Sequence, residues 1–280
     1  MATKRERQRM LARQAHQRRI QRQAERERRT RRLAVTIIAA ILVIAVGVGT
    51  AAIAGAFSAS KSSAAATSTP SASASATPTA SASPSSTPAM VDGKCVYMTA
   101  GTAARKVNFP SATPDTKATY RATIRTNRGK IVIDLLNSQA PCTVNSFVSL
   151  ADQGYYNNTD CQRLVTVGFY ILQCGDPTGT GTGGPGYEFG SENLTGATYP
   201  AGTVAMAIVT GDPDSNGSQF FLVYKGSSEL SPDYTPFGTI VRGLSILQNV
   251  AKAGSDNSNG TGDGHPKEKV EIESVTISKT

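Results

Sequence analysis

The stretch Gly202–Phe221, GTVAMAIVTGDPDSNGSQFF, sets two apolar runs on either side of a polar turn. Thr203–Val209 and Gln219–Tyr224 read as strands, because β-branched, aromatic and other apolar residues fill them. Asp212–Gly217 between them carries the Pro, Asn and Gly of a turn. DPDSNG also matches the first half of a calcium loop. Its twelfth position falls on Val223, however, where a bidentate Glu is required, so the turn reading stands and the calcium reading fails.

Moving upstream, Cys161–Gly175 reads CQRLVTVGFYILQCG and runs into DPTGTGTGGPGY. Strands are expected at Gln162–Val167 and Phe169–Cys174. The glycine run Gly179–Gly186 lacks the Gly-Lys-Ser/Thr ending of a phosphate loop and the strand-to-helix setting of a dinucleotide fold. It reads as a tight surface loop that uses glycine's positive φ. Farther out, Ala118–Asn127 and Lys130–Leu136 flank an Asn127–Arg128–Gly129 turn and form a hairpin. Phe237–Val241 and Val270–Ser278 complete eight strands. A helix is expected at Pro141–Asp152, with Pro141 in its first turn and Val144, Phe147, Val148 and Leu150 on one stripe. A second fits Leu244–Ala253, stopped by Gly254. Eight strands and two helices without βαβ alternation predict a mainly β fold, a closed eight-stranded antiparallel barrel capped by the helices, over residues 118–280.

The N-terminal third is different in kind. Residues 1–32 hold thirteen Lys/Arg against three Glu, a local charge of +10 in a chain whose total is +9. The basicity thus belongs to one tail, which argues against a nucleic-acid-binding domain. Residues 33–57, LAVTIIAAILVIAVGVGTAAIAGAF, carry no charge and are long enough to cross a membrane as a helix. Small residues near Ala54–Ala59 leave a cleavable leader as the competing reading, but leader apolar cores are shorter and follow shorter basic regions. A retained transmembrane helix is therefore expected, and the positive-inside rule puts the basic tail in the cytoplasm and the rest outside. Residues 58–93 are dominated by Ser, Ala, Thr and Pro and read as a disordered stalk, and residues 94–117 as an extended lead-in.

On the outer side of a membrane, four cysteines favour two disulfides. Three pairings exist. Cys161 and Cys174 lie near the ends of two strands of a hairpin, so Cys161–Cys174 with Cys95–Cys142 is the preferred set. The chain has two histidines, His16 and His265. A His-activated Ser or Cys nucleophile would have to use His265, in a Gly/Asp-rich loop, so nucleophilic hydrolysis is set aside.

The Arg-bearing strand, the Gln-Cys-Gly-Asp strand end, the Gly-Thr-Gly-Gly run and NGSQFF occur here in one order over 118–280. This constellation resembles the cyclophilin family, and the LQCGDPTGTGTGGPGY form with anchor and stalk is similar to the membrane-anchored, extracytoplasmic cyclophilins of actinobacteria. The resemblance implies a cyclophilin-like barrel and peptidyl-prolyl cis-trans isomerase activity on polypeptides containing X-Pro bonds, with no cofactor, no metal and a monomeric chain. It puts the catalytic residues at Arg163, the family's Arg, and at Gln173, its groove Gln, which would hold the rotating carbonyl or orient Arg163. Ile171, Met206, Ala207, Gln219, Phe221 and Leu230 match substrate-binding positions, with Met206, Phe221 and Leu230 as the floor of the proline pocket.

The departures are specific. Two extra residues separate Arg163 from Gln173, so the groove aromatic is Tyr170 or Phe169; counting back from Gln173 selects Tyr170. Ile208 stands where Asn is usual, Tyr234 where His is usual, and Glu229 replaces the Trp associated with ciclosporin binding. The altered spacing and Tyr234 keep an alternative open, a non-catalytic proline-peptide-binding or envelope scaffold protein on the same fold.

Overall fold

A computed structural model describes residues 87–279. The basic tail, the expected span at 33–57 and most of the stalk lie outside the described residues. Among the described residues no helix is long and apolar enough to cross a membrane.

Fourteen strands and two helices follow one another along the described chain. Three short strands come first: β1 (Met90–Val91), β2 (Lys94–Cys95) and β3 (Met98–Thr99). The hairpin β4 (Tyr120–Thr126) and β5 (Gly129–Leu135) leads to helix α1 (Pro141–Asp152). Next are β6 (Thr159–Asp160), β7 (Arg163–Val165), β8 (Ile171–Cys174), β9 (Tyr187–Glu188), β10 (Thr203–Met206), β11 (Phe220–Val223) and β12 (Pro236–Arg242). Helix α2 (Leu244–Ala253), β13 (Asp263–Gly264) and β14 (Glu271–Lys279) close the order.

Ten strands form one antiparallel sheet in the order β13-β7-β8-β11-β10-β12-β5-β4-β14-β6. Its eight inner members are the eight strands expected from sequence. The two additions, β13 and β6, are two-residue strands at the ends, too short to carry an alternating pattern. Only Cys161 and Gln162 separate β6 from β7, so one chain segment pairs with β14 at one end of the order and with β8 near the other.

The sheet is apolar on both faces around β7, β8, β11 and β10, and the alternation of a strand decides which residue goes where. Leu164, Leu172, Leu222 and Val204 are register partners across these four strands and face the main core. There they meet Phe147 of α1, whose ring lies 5.5 Å from Phe220 and 5.3 Å from Phe237. Val165, Ile171, Val223, Phe221 and Ala205 point the other way and form a second, smaller apolar cluster.

Helix α1 begins without a side-chain cap of its own. Glu192 supplies one from afar: its carboxylate accepts hydrogen bonds from the Cys142 and Thr143 amides and from Thr143 Oγ1. That satisfies donors the first turn leaves unpaired. Helix α2 starts after Gly243 in the left-handed region at φ +89°, where a Cβ would meet the Lys130 carbonyl.

Both preferred disulfides are present, Cys95–Cys142 and Cys161–Cys174. The first ties the lead-in to α1, and the lead-in is folded rather than merely extended. Tyr97 Oη donates to the Cys142 carbonyl, and its ring meets Tyr187 and Phe189 edge-on at 5.5 Å. Arg105 Nη1 donates to the carbonyls of Gly154, Tyr155 and Asn157, at 2.8–3.0 Å. Residues 87–93, assigned to the stalk by composition, also belong to the fold. Ala89 is buried against Cys95 and Cys142, and the Thr87 amide donates to Asp214. An alanine in a Ser/Ala-rich run gives no sign of burial, because its partners are distant in sequence.

Candidate active site

The register of the sheet assembles the candidate site. Arg163 on β7 pairs with Gln173 on β8, Gln173 with Phe221 on β11, and Phe221 with Ala205 on β10. Direct register partners share a face, so these four side chains form one row across four strands. At about 4.8 Å per strand the row spans about 14 Å. A second row, Val165, Ile171 and Val223, runs alongside.

The floor of this face is dry and its rim is wet. Ile171, Val165, Ala205, Phe221 and Val223 are buried, while Phe169, Ala207, Leu230 and Tyr234 pack against them half-exposed. The Tyr234 ring stands edge-on to Phe221 with centroids 5.3 Å apart, and Tyr199 lies 6.2 Å from Tyr234. Tyr199 Oη donates to the Tyr234 carbonyl and accepts from the Tyr234 amide, which fixes the loop that carries it. Burial raises the Tyr234 phenol above its ordinary range, the nearby Asp233 charge adds to this, and the Arg163 charge opposes it.

Arg163 enters the face as a held cation. Its Nε and Nη2 donate to Asp263 Oδ1 and Oδ2 at 2.8 and 2.6 Å, a two-point pair that is only partly exposed. Its guanidinium carbon lies 6.0 Å from the centroid of the Phe169 ring. The Asp263 hydrogen bonds push the guanidinium pKa up, and the same bonds hold the Asp263 carboxyl below the usual carboxylate range.

Gln173 is fixed by a different partner. Gln219 Oε1 accepts from both Gln173 Nε2 at 2.8 Å and Gln162 Nε2 at 2.9 Å. Gln219 Nε2 donates in turn to the carbonyls of Gly181 and Gly183 at 3.0 Å. The glycine run is thus a clamp on Gln219. It is folded around Asp176, whose carboxylate accepts from the amides of Thr178, Gly181 and Gly183 and from the Thr178 hydroxyl. Burial alone would raise the Asp176 pKa, but these donors outweigh it and hold the carboxyl low. Gly175 comes just before, at φ +95°, and a Cβ there would strike the Ser218 carbonyl. Beside Gln173 and Gln219 lies a cavity of about 140 Å³, bordered by Ala207 and by Ala100 of the lead-in.

Of the residues expected to bind substrate, Arg163, Gln173, Ile171, Ala207, Gln219, Phe221, Leu230 and Tyr234 come together on or beside this face. Two do not. Tyr170 packs against the main core, its ring 6.0 Å from Tyr224 and covered by Lys225 Nζ at 4.1 Å. The aromatic on the Arg163 side is Phe169, because Phe169, Ile171 and Gln173 share one parity. Met206 is likewise in the main core, opposite Phe220, since Val204 and Met206 share the parity of β10 that faces inward. Sequence reasoning also missed Asp263 and Gln162, which sit beside Arg163 and Gln219 through long-range pairing alone.

Comparisons with known proteins agree with this architecture. The family model described as "Cyclophilin type peptidyl-prolyl cis-trans isomerase/CLD" matches residues 121–277. The chain is 45% identical over 212 residues to the probable peptidyl-prolyl cis-trans isomerase B of Mycobacterium leprae, covering 69% of this chain and 70% of that one. It is 42% identical over 211 residues to the protein of the same name from Mycobacterium tuberculosis, covering 69% and 67%. Among solved structures, a Cryptosporidium parvum cyclophilin type peptidyl-prolyl cis-trans isomerase, crystallised in the presence of the dipeptide Ala-Pro, matches with a TM-score of 0.51 and 33% identity. That match covers 57% of this chain and 99% of the other. The family match and the mycobacterial relatives together identify the chain as a member of the cyclophilin-type peptidyl-prolyl cis-trans isomerase family.

Proposed function

We propose that this isomerase acts on X-Pro bonds of extracytoplasmic polypeptides through the face that carries Arg163, and that residues 33–57 anchor it in the membrane. Rotation about an X-Pro amide meets a high barrier because it breaks the resonance of the bond. As the bond twists, the prolyl nitrogen loses conjugation and its lone pair becomes a hydrogen-bond acceptor. A positioned guanidinium donates to that lone pair only in the twisted state, so the contact lowers the barrier without tightening the ground state. The apolar cluster of Phe221, Leu230 and Tyr234, with Phe169 at its edge, grips the pyrrolidine ring while the preceding residue turns. Gln173, locked to Gln219, offers a fixed amide to the peptide backbone.

The single observation that carries this reading is the register row Arg163–Gln173–Phe221. It sets a cation, an amide and an apolar floor side by side. Ala-Pro, used with the Cryptosporidium relative, is the smallest ligand of the type expected to fit. Closure of the sheet into a barrel, through the β6–β7 segment, would hold the row rigid.

A protease-coupled assay on an X-Pro peptide tests the reading. The full chain should accelerate isomerisation and Arg163→Ala should lose about 10²-fold, the scale of one lost transition-state donor. Equal slow rates for both proteins would leave a peptide-binding scaffold as the better description.

A further inference from the structure

The ion pair between Arg163 and Asp263 joins residues a hundred positions apart, and the protein has several independent features that build it. Strand β13 exists to the extent of two residues, and its register places Asp263 opposite Val165 and Gly264 opposite Leu164. Asp263 therefore lies on the same face as Arg163, one step diagonally along β7. The loop before it is tied down at every turn. Thr166 donates through both its amide and its hydroxyl to the Gly262 carbonyl. The Gly262 amide donates to Asn257 Oδ1, and Asn259 Nδ2 donates to Asp263 Oδ1. Asp256 accepts from Ser258 and from the His265 amide, closing the loop at its base.

The geometry of the pair matters as much as its existence. Asp263 takes the Nε and Nη2 edge of the guanidinium. A guanidinium has five N–H donors in one plane, so this side-on pairing leaves both Nη1 hydrogens and one Nη2 hydrogen for other acceptors. It also fixes the plane in which they point. A surface ion pair of this exposure would contribute little to stability by itself. Its consequence for a donor that must meet a developing lone pair is larger, because misplacement of a reacting group by about 1 Å can lower a rate about 10²-fold.

We propose that Asp263 is a positioning residue for the isomerisation, holding the Arg163 guanidinium by one edge so that its Nη1 edge faces the X-Pro bond. The inference rests on the proposed role of Arg163. Asp263 does not touch the peptide; it acts through Arg163.

The test compares the full-length wild type with Asp263→Ala, Asp263→Asn, Asp263→Glu, Arg163→Ala and the Asp263→Ala/Arg163→Ala double variant, by kcat and KM on an X-Pro peptide and by thermal unfolding. Asp263→Ala should lower kcat about tenfold with KM within about twofold, since only the twisted state uses the oriented donor. Asp263→Asn should fall similarly, because its amide nitrogen would oppose an Arg163 donor, while Asp263→Glu should recover part of the rate. The double variant should be no slower than Arg163→Ala alone. A folded Asp263→Asn with wild-type kcat, or additive losses in the double variant, would overturn the proposal while leaving the Arg163 role intact. If Arg163→Ala itself kept the wild-type rate, the parent reading would fail and the Asp263 role with it.

Discussion

At the scale of single residues, the site depends on parity. Phe221 is buried on the groove side and Phe220 on the core side, although they are adjacent in the chain. Phe221→Ala should therefore weaken peptide binding and destabilise the fold by about 3 kcal/mol, as for other buried Phe deletions. Titration with an X-Pro peptide and denaturant unfolding would measure the two effects. Phe220→Ala should destabilise at least as much and leave the affinity of the folded fraction unchanged. Asp263 has a pH signature. Its folded pKa is depressed by the Arg163 hydrogen bonds, so it contributes stability that is present above its unfolded value of about 4 and is lost as pH falls through the lower folded value. Because the pair is partly exposed, unfolding free energies of wild type and Asp263→Asn should differ by less than about 1 kcal/mol at neutral pH and converge in acid. Tyr170 against Phe169 shows how adjacent aromatics mislead at this scale: counting back from Gln173 selects Tyr170, but the parity that puts Ile171 and Gln173 on the Arg163 face selects Phe169.

At the scale of elements, long periodic segments were legible and short ones were not. Helices Pro141–Asp152 and Leu244–Ala253 begin and end where Pro, apolar spacing and Gly predict. The eight longer strands fall within a few residues of where the apolar and β-branched runs predict, several trimmed at their ends and β12 one residue longer at each. Strand β13 was invisible because two residues carry no period, and the Arg163 that its Asp263 holds lies a hundred residues away along the chain. Beyond the expected Cys95–Cys142 bridge, the folding of residues 87–117 was invisible for a related reason, since its other anchors are scattered: Ala89, Tyr97 and Arg105. Those anchors make the lead-in a structural element, held by a disulfide that spans 47 residues. In the chain-entropy account a loop of that length stabilises by about 4 kcal/mol, so replacing Cys95 and Cys142 by Ala should lower the unfolding free energy by roughly that amount. Hydrogen exchange should then rise first in residues 87–117, while Arg163 and Gln173 keep their pairing. Uniform loss of protection across the sheet would show that the lead-in is not a separable element.

At the scale of the whole molecule, the sequence sets a basic stretch (1–32), an uncharged apolar stretch (33–57) and a Ser/Ala/Thr/Pro-rich stretch ahead of the folded residues. The proposed anchoring predicts that a protease added to intact spheroplasts removes the folded domain but leaves residues 1–32 protected. Digestion of the tail instead, or release of the domain into the medium without protease, would favour the opposite topology or a cleaved leader. The family itself was readable from motifs because NGSQFF, the Arg strand and the glycine run occur in one order. What the motifs did not contain is how each site residue is held: Gln219 by the glycine-run carbonyls, Arg163 by Asp263.

The central claim is that Arg163 acts on the twisted bond and not on the resting peptide. Exchange NMR on an Ala-Pro-containing peptide measures both quantities at once, the affinity from titration and the catalysed cis-trans exchange rate at saturation. With the full-length protein, Arg163→Ala should bind the peptide within about twofold of wild type while exchange slows about 10²-fold. Affinity and rate falling together, or a rate that does not fall, would contradict the account.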